Sequence, residues 1–134
     1  MRKAALAGVV GLVLLAGCGE EKLDAEATAA RFVGYYYVAI DLPSAQKLTE
    51  GLARSEIERQ MLAVKQAGAP IAGAKPKVES RILERRQSDG RVMFLFALTI
   101  QPAQGRPFER RALISVSRRP GGWRVTHFRE FDLR

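Results

Sequence analysis

The hydrophobic pattern of this chain changes its period once, between residues 68 and 77. Before that point Phe32, Tyr36 and Ile40 recur four residues apart, which is typical of one face of a helix. After it, apolar residues such as Phe94 and Phe96 alternate with their neighbours, which is typical of strands. Because the helical part comes first and the strand part follows as one block, the sequence predicts an α+β domain.

Three helices are predicted in the first part. Asp24 is a suitable N-cap for the first helix, and Pro43 suits the first turn of the second. The S-x-x-E pattern at Ser55 resembles a capping box for the third, which should stop at Gly68. The predicted ranges are 25–40, 43–48 and 56–67.

Four antiparallel strands are predicted in the second part, at 77–86, 91–100, 108–117 and 123–132. Ser88-Asp89-Gly90 and Pro120-Gly121-Gly122 read as hairpin turns. The second strand is apolar on both faces, which predicts a central position in the sheet. Regular alternation along the last strand places His127 on the same face as Trp123 and Val125.

The N-terminal segment has the features of an export signal. Met1-Arg2-Lys3 is positively charged and Ala4 to Leu15 is uncharged and apolar. This run is shorter than the roughly 20 residues that a membrane-spanning helix needs. At its end, Leu15-Ala16-Gly17-Cys18 resembles the lipobox of bacterial lipoproteins.

That resemblance implies that residues 1–17 are a signal peptide cleaved between Gly17 and Cys18. Cys18, the single cysteine of the chain, would carry a thioether-linked diacylglycerol with fatty acyl chains such as palmitate, followed by a short tether over 18–24. A lipid anchor of two or three chains holds a protein stably on a membrane. Gly19, rather than Asp, after the cysteine is typical of lipoproteins of the Gram-negative outer membrane, facing the periplasm.

Residues 25–134 are expected to form a single domain. Its helices-then-sheet order and the Gly121-Gly122-Trp123-Arg124-Val125 segment resemble the nuclear transport factor 2-like superfamily. The resemblance implies N-terminal helices packed on a curved four-stranded antiparallel sheet, which forms a cone whose open mouth can hold a small ligand.

Candidate pocket residues follow from this resemblance. Some members of the superfamily are isomerases or dehydratases that place Asp, His or Tyr inside the cone. The corresponding residue types here are Tyr35, Tyr37, Asp41, Trp123 and His127. No catalytic residue is carried over, because His127 is the only histidine and its distance from an acid is not fixed by the sequence.

Positive charge is concentrated in the strand part of the chain. From Lys75 onward there are fourteen basic and six acidic residues, whereas the whole chain has a net charge of +8. These arginines either keep solvent-facing positions soluble or contact an anionic surface. The candidate contacts with lipid head groups or glycan are Arg81, Arg85, Arg110, Arg111 and Arg124.

The function predicted from these features is that of a membrane-anchored, noncatalytic binding or accessory domain of the bacterial cell envelope. Its partner is a small molecule or an envelope protein, and its oligomeric state is left open. The alternative is a small isomerase or dehydratase that uses His127. No phosphate loop, second histidine or second cysteine is present, so neither a metal nor another cofactor is expected. Nucleic acid is not an expected partner for an exported, lipid-anchored chain.

Overall fold

The computed structural model describes residues 23–68 and 75–132. The predicted signal peptide, the lipobox with Cys18 and most of the tether lie outside the described residues. The described part contains three α-helices followed by four strands: α1 (Ala25–Val33), α2 (Leu42–Gln46), α3 (Gly51–Ala67), β1 (Lys77–Ser88), β2 (Arg91–Gln101), β3 (Phe108–Arg119) and β4 (Gly122–Asp132).

Helix α1 begins where the sequence predicts and changes its geometry near its end. The Asp24 side chain accepts a hydrogen bond of 2.7 Å from the backbone N–H of Ala27, which confirms the N-cap. From Gly34 to Ala39 the chain continues as a π-helix rather than as the α-helix expected to Ile40. Ile40 then adopts a left-handed conformation with φ of 54°, which ends the helix.

Helix α3 starts five residues earlier than predicted, at Gly51. Thr49 forms a parallel bridge with Val125 of β4, and the chain enters the helix directly afterwards, at Gly51, whose φ of 63° suits glycine. Ser55 therefore lies inside the helix and the predicted capping box is wrong. The predicted end at Gly68 is confirmed.

The four strands form one antiparallel sheet in the order β1-β2-β3-β4. The two-residue turn at Asp89-Gly90 and the turn at Pro120-Gly121 lie at the predicted positions. Strand β2 is central, as its two apolar faces indicate. One face of the sheet packs on the helices, and we call it the inner face.

The core lies between the inner face and helices α1 to α3. Phe32 is fully buried and its ring lies 5.0 Å from that of Phe128. The opposite, outer face carries Met93, Leu95 and Leu113, which line a shallow cavity of about 220 Å³. The buried hydrophobic residues are Ala25, Ala29, Phe32, Val33, Ala45, Ala53, Ile57, Val92, Phe94, Phe96, Ala97, Leu98, Ala112, Ile114, Val116 and Val125.

The free edge of β4 is partly covered by the α2–α3 connection. The backbone N–H of Val125 donates to the carbonyl oxygen of Leu48 at 2.8 Å, and the N–H of Glu50 donates to the carbonyl of Val125 at 3.0 Å. The Glu50 carboxylate also lies 3.2 Å from Arg119. These contacts fix the segment that follows α2 on the edge of β4.

Candidate functional site

One cleft of the described residues lies between α1, α2 and the β3–β4 turn. It has a volume of about 680 Å³. Its apolar surface comes from Leu23, Tyr35, Leu48 and Trp123. Leu23 immediately precedes the cap of α1, so the cleft lies where the chain enters the domain.

Three cations line this cleft, one from each of its walls. Arg31 comes from the last turn of α1, Lys47 from the end of α2 and Arg124 from β4. Among the described residues that line the cleft there is no carboxylate, and none of the three cations forms an ion pair with a described acid. We call this site, defined by Arg31, Lys47, Arg124 and Trp123, the cationic cleft.

The guanidinium of Arg124 is held in place by the turn beside it. Its Nη1 donates to the carbonyl oxygen of Trp123 at 2.9 Å. A Cβ atom at Gly121 would lie 3.3 Å from Nη2, and one at Gly122 would lie 3.7 Å from Nη1. The first distance is tight and the second is an ordinary contact, so Gly121 leaves room for the guanidinium, whereas Gly122 is required by its φ of 121°.

Trp123 forms one side of the cationic cleft and is itself partly covered by a charge. The guanidinium carbon of Arg118 lies 6.0 Å from the centre of its indole ring, within the range of a cation–π contact. Arg118 therefore adds positive charge beside the turn, whereas the neighbouring Arg119 is paired with Glu50.

The second cleft lies between α3 and β4 and has a volume of about 410 Å³. Its polar groups form a chain: the Tyr36 hydroxyl donates to Gln60 Oε1 at 2.9 Å, and Gln60 Nε2 donates to Glu56 at 3.1 Å. Glu56 also pairs with Arg59. The hydrogen bonds from Arg59 and Gln60 lower the pKa of Glu56, so its carboxylate is ionised at neutral pH.

Tyr36 and Tyr37 are both held in the protonated form. Burial raises the pKa of the Tyr36 hydroxyl despite its bond to Gln60. Burial, reinforced by the nearby Glu130 carboxylate, raises that of Tyr37 well above its ordinary value. The Tyr37 hydroxyl has no well-formed hydrogen bond to any described residue. The two rings meet edge to face, with their centres 4.7 Å apart.

His127 lies at the rim of the α3–β4 cleft and is exposed. A β-bulge places Thr126 outside the regular pairing, so Val125 pairs with Val116 whereas His127 pairs with Ser115. The predicted alternation, with His127 on the face of Trp123 and Val125, is therefore wrong. The extra residue moves His127 to the outer face.

The five candidate pocket residues are distributed over separate places. Tyr35 and Trp123 line the cationic cleft, whereas His127 lines the α3–β4 cleft. Tyr37 is packed beside Tyr36. Asp41 caps α2: it accepts hydrogen bonds from the backbone and hydroxyl of Ser44, and these lower the pKa of its carboxyl group.

The five candidate arginines are likewise not gathered on one surface. Arg81 lies 3.1 Å from Glu109, Arg111 lies 3.5 Å from the same carboxylate, and Arg110 lies 2.8 Å from Asp132. Arg85 stands over the ring of Phe94 at 5.5 Å. Of the five, Arg124 is the one that lines the cationic cleft.

No group of three or more His, Cys, Asp and Glu side chains in residues 23–68 and 75–132 is arranged to hold a metal ion. In those same ranges, no helix combines the length and the apolar composition that crossing a membrane requires.

Similar solved structures include two bacterial proteins. One is described as a calcium/calmodulin-dependent protein kinase type II association domain from Thiobacillus denitrificans. It is 13% identical to this chain in sequence and superposes with a TM-score of 0.65, and the alignment covers 87% of this chain and all of that one. The chain has a nuclear transport factor 2-like fold. The other is a SEC-C motif containing protein from Rhodopseudomonas palustris, with a TM-score of 0.54, 13% identity and 83% and 80% coverage of the two chains.

At this identity the likeness concerns the nuclear transport factor 2-like fold alone. No protein-family model matches the sequence, and no curated protein matches it either. The clefts of this chain are therefore the features from which its function is inferred.

Sequence reasoning missed two of the three cations of the cationic cleft, Arg31 and Lys47. Arg31 lies four residues before Tyr35, so the two side chains share one helix face, and this was the available signal. Lys47 could not be found in the same way. Its position depends on the α2–α3 connection pairing with β4, a contact between distant parts of the sequence.

Proposed function

We propose that this chain is a lipid-anchored lipoprotein of the bacterial cell envelope whose domain binds a ligand without catalysing a reaction. In this proposal residues 1–17 are removed, Cys18 carries the lipid, and the domain remains close to the bilayer. The apolar segment from Ala4 to Leu15 and the Leu15-Ala16-Gly17-Cys18 lipobox support the anchor. Gly19 after the cysteine supports the outer membrane, facing the periplasm.

The observation that carries the binding function is the cationic cleft. Its volume of about 680 Å³ lies within the range of small-molecule sites. Arg31, Lys47 and Arg124 face it without a carboxylate on its described lining, which suits an anionic ligand. Acid–base catalysis requires a proton donor or acceptor in contact with the ligand, and these three cations favour binding over proton transfer. A curved sheet that forms a cone, as in the superfamily, would provide a further place for a ligand or partner protein.

Mass spectrometry of the native protein tests the anchor. We expect the first peptide to begin at Cys18 and to carry a diacylglycerol thioether. The matched variant Cys18→Ser should keep Met1 and carry no lipid. An intact Met1 or an unmodified Cys18 thiol in the wild-type protein would refute the anchor.

Purification from detergent-solubilised membranes tests the binding function. A small anionic molecule or an envelope protein should accompany the wild-type protein and be lost from the Arg31→Gln/Lys47→Gln variant. Recovery of ligand-free monomer alone, from wild type and variant alike, would argue against a binding domain.

A small isomerase or dehydratase is the second candidate. It is favoured by the α3–β4 cleft, which brings His127 together with Tyr36 and Glu130. Against it, His127 is exposed on the outer face, and Glu56 is engaged by Arg59 and Gln60. Turnover of a ketosteroid or hydroxyacyl substrate that is lost in His127→Ala and retained in Arg31→Gln would favour the enzyme over the binding domain.

A further inference from the structure

The cationic cleft lies at the point where the chain leaves the domain towards its N-terminus. Leu23 lines the cleft, and Cys18 is five residues away in the sequence. Five residues span at most about 18 Å when fully extended. A lipid on Cys18 would therefore keep this end of the domain within head-group distance of the bilayer.

The chemistry of the cleft fits a phosphate group. Two guanidinium groups and one ammonium group, from Arg31, Arg124 and Lys47, line this one cleft from three different elements. Guanidinium groups match phosphate oxygens in a bidentate geometry, and lysine adds a compact charge. Arg124 is preorganised by its bond to the Trp123 carbonyl oxygen, which reduces the entropy lost on binding.

The surroundings of the cleft also fit the interfacial region of a membrane. Trp123 is partly buried beside the three cations, and tryptophan prefers the depth of lipid head groups because its ring is apolar while its N–H is polar. Arg118 flanks the same turn and adds charge at this end of the domain, whereas Arg119 is paired with Glu50. Anionic lipids attract such clusters of Lys and Arg when the clusters lie near the membrane surface.

We propose that the cationic cleft binds the phosphate of an anionic phospholipid head group in the membrane that carries the anchor. This inference rests on the proposed lipid anchor and deepens it. The acyl chains on Cys18 hold the domain on the membrane, and the cleft fixes its orientation, with the β3–β4 turn and the start of α1 towards the lipid. The tether raises the local lipid concentration, so a weak site suffices.

Trp123 is the single tryptophan of the sequence, so its fluorescence reports on the cleft directly. The mature lipoprotein, with its own acyl chains, is reconstituted into nanodiscs of phosphatidylcholine with increasing phosphatidylglycerol. All discs contain a neutral lipid with a nitroxide quencher on its head group. We expect phosphatidylglycerol to increase the quenching of Trp123 and added salt to reverse the increase.

The variant Arg31→Gln/Lys47→Gln/Arg124→Gln should require at least about tenfold more phosphatidylglycerol for half-maximal quenching. The matched control removes two arginines and one lysine from the part of the sheet away from the β3–β4 turn, at Lys77, Arg81 and Arg106, and should stay within about twofold of wild type. The double variant Arg31→Gln/Lys47→Gln keeps the bond between Arg124 and Trp123, so it covers the case in which the triple variant does not fold.

Three results would overturn the inference. Quenching that does not depend on phosphatidylglycerol would exclude a lipid site, and an equal loss in the control would show attraction by net charge alone. If soluble glycerol 1-phosphate reverses the quenching at a concentration similar to that of the lipid, the ligand is a free phosphate ester. Mass spectrometry of the same sample separates the proposals: an unlipidated Cys18 refutes the anchor, whereas a lipidated protein with unresponsive Trp123 refutes only the lipid site.

Discussion

Replacing Phe32 by alanine tests whether the aromatic contacts between α1 and β4 hold the helices on the sheet. Phe32 is fully buried. Its ring is stacked on Tyr36, with the centres 5.5 Å apart, and lies 5.0 Å from Phe128. Loss of a buried phenylalanine typically costs about 3–5 kcal/mol, of which each aromatic pair accounts for about 0.5–1.5 kcal/mol.

Because both pairs are lost at once, we expect Phe32→Ala to lower the free energy of unfolding by about 4 kcal/mol. The melting temperature should fall by about 15 °C or more. The assay is urea denaturation of the non-lipidated chain from Gly19 onward, followed by circular dichroism. An unchanged slope of the free energy against urea would show that the denatured state is not altered.

Phe131→Ala is the matched control for this prediction. The same group is removed from the outer face, where Phe131 is 39% exposed and contacts Arg129 at 5.6 Å. Its cost should be about 1 kcal/mol or less. If Phe32→Ala costs no more than Phe131→Ala, the aromatic cluster does not hold the helices on the sheet and the reasoning is wrong.

Three further changes test local features. Asp24→Ala removes the N-cap of α1 and should cost about 1 kcal/mol in urea denaturation, with Asp24→Asn as the conservative control. Deletion of Thr126 removes the bulge but keeps the pairing of Val125 with Val116 and of His127 with Ser115. The amide NMR signals of the sheet should therefore persist, and loss of the folded spectrum would show that the bulge is required. The pKa of the Asp41 carboxyl group lies below its ordinary 3.8 because Ser44 donates hydrogen bonds to it, so this contribution to stability is present above pH 3.8 and is lost as the pH falls through the lower folded value. Asp41→Asn should make the free energy of unfolding less dependent on pH in this acidic range. An unchanged pH profile would contradict the assignment.

Much of the fold follows from local signals in the sequence. The Asp24 cap, the Gly68 stop and the hairpin glycines determine the ends of elements through short-range backbone geometry, so they could be identified without the structure. The start of α3 could not, because it depends on Thr49 pairing with Val125, which lies far away in the sequence. The face of His127 was mispredicted for a similar reason, since one bulged residue reverses the alternation.

The candidate site was less predictable than the fold. Trp123 and Arg124 were recognised because they follow a marked glycine turn, whereas Lys47 becomes part of the cleft only through tertiary packing. A cluster of cations from three elements leaves no spacing pattern in the sequence. The five arginines that were selected from the strand part illustrate the opposite case. The sequence made them candidates, but three of them form ion pairs with Glu109 or Asp132 in the structure.

The two edges of the sheet have different consequences for self-association. The α2–α3 connection shields part of β4, but β1 presents an outward row of backbone donors and acceptors along twelve residues. Six of those twelve residues are charged, and charge on a strand edge discourages pairing with a second molecule. Even at high protein concentration, the β1 edges of two molecules should therefore not pair. Replacing the charged residues of β1 by neutral ones should make this edge a site where aggregation begins.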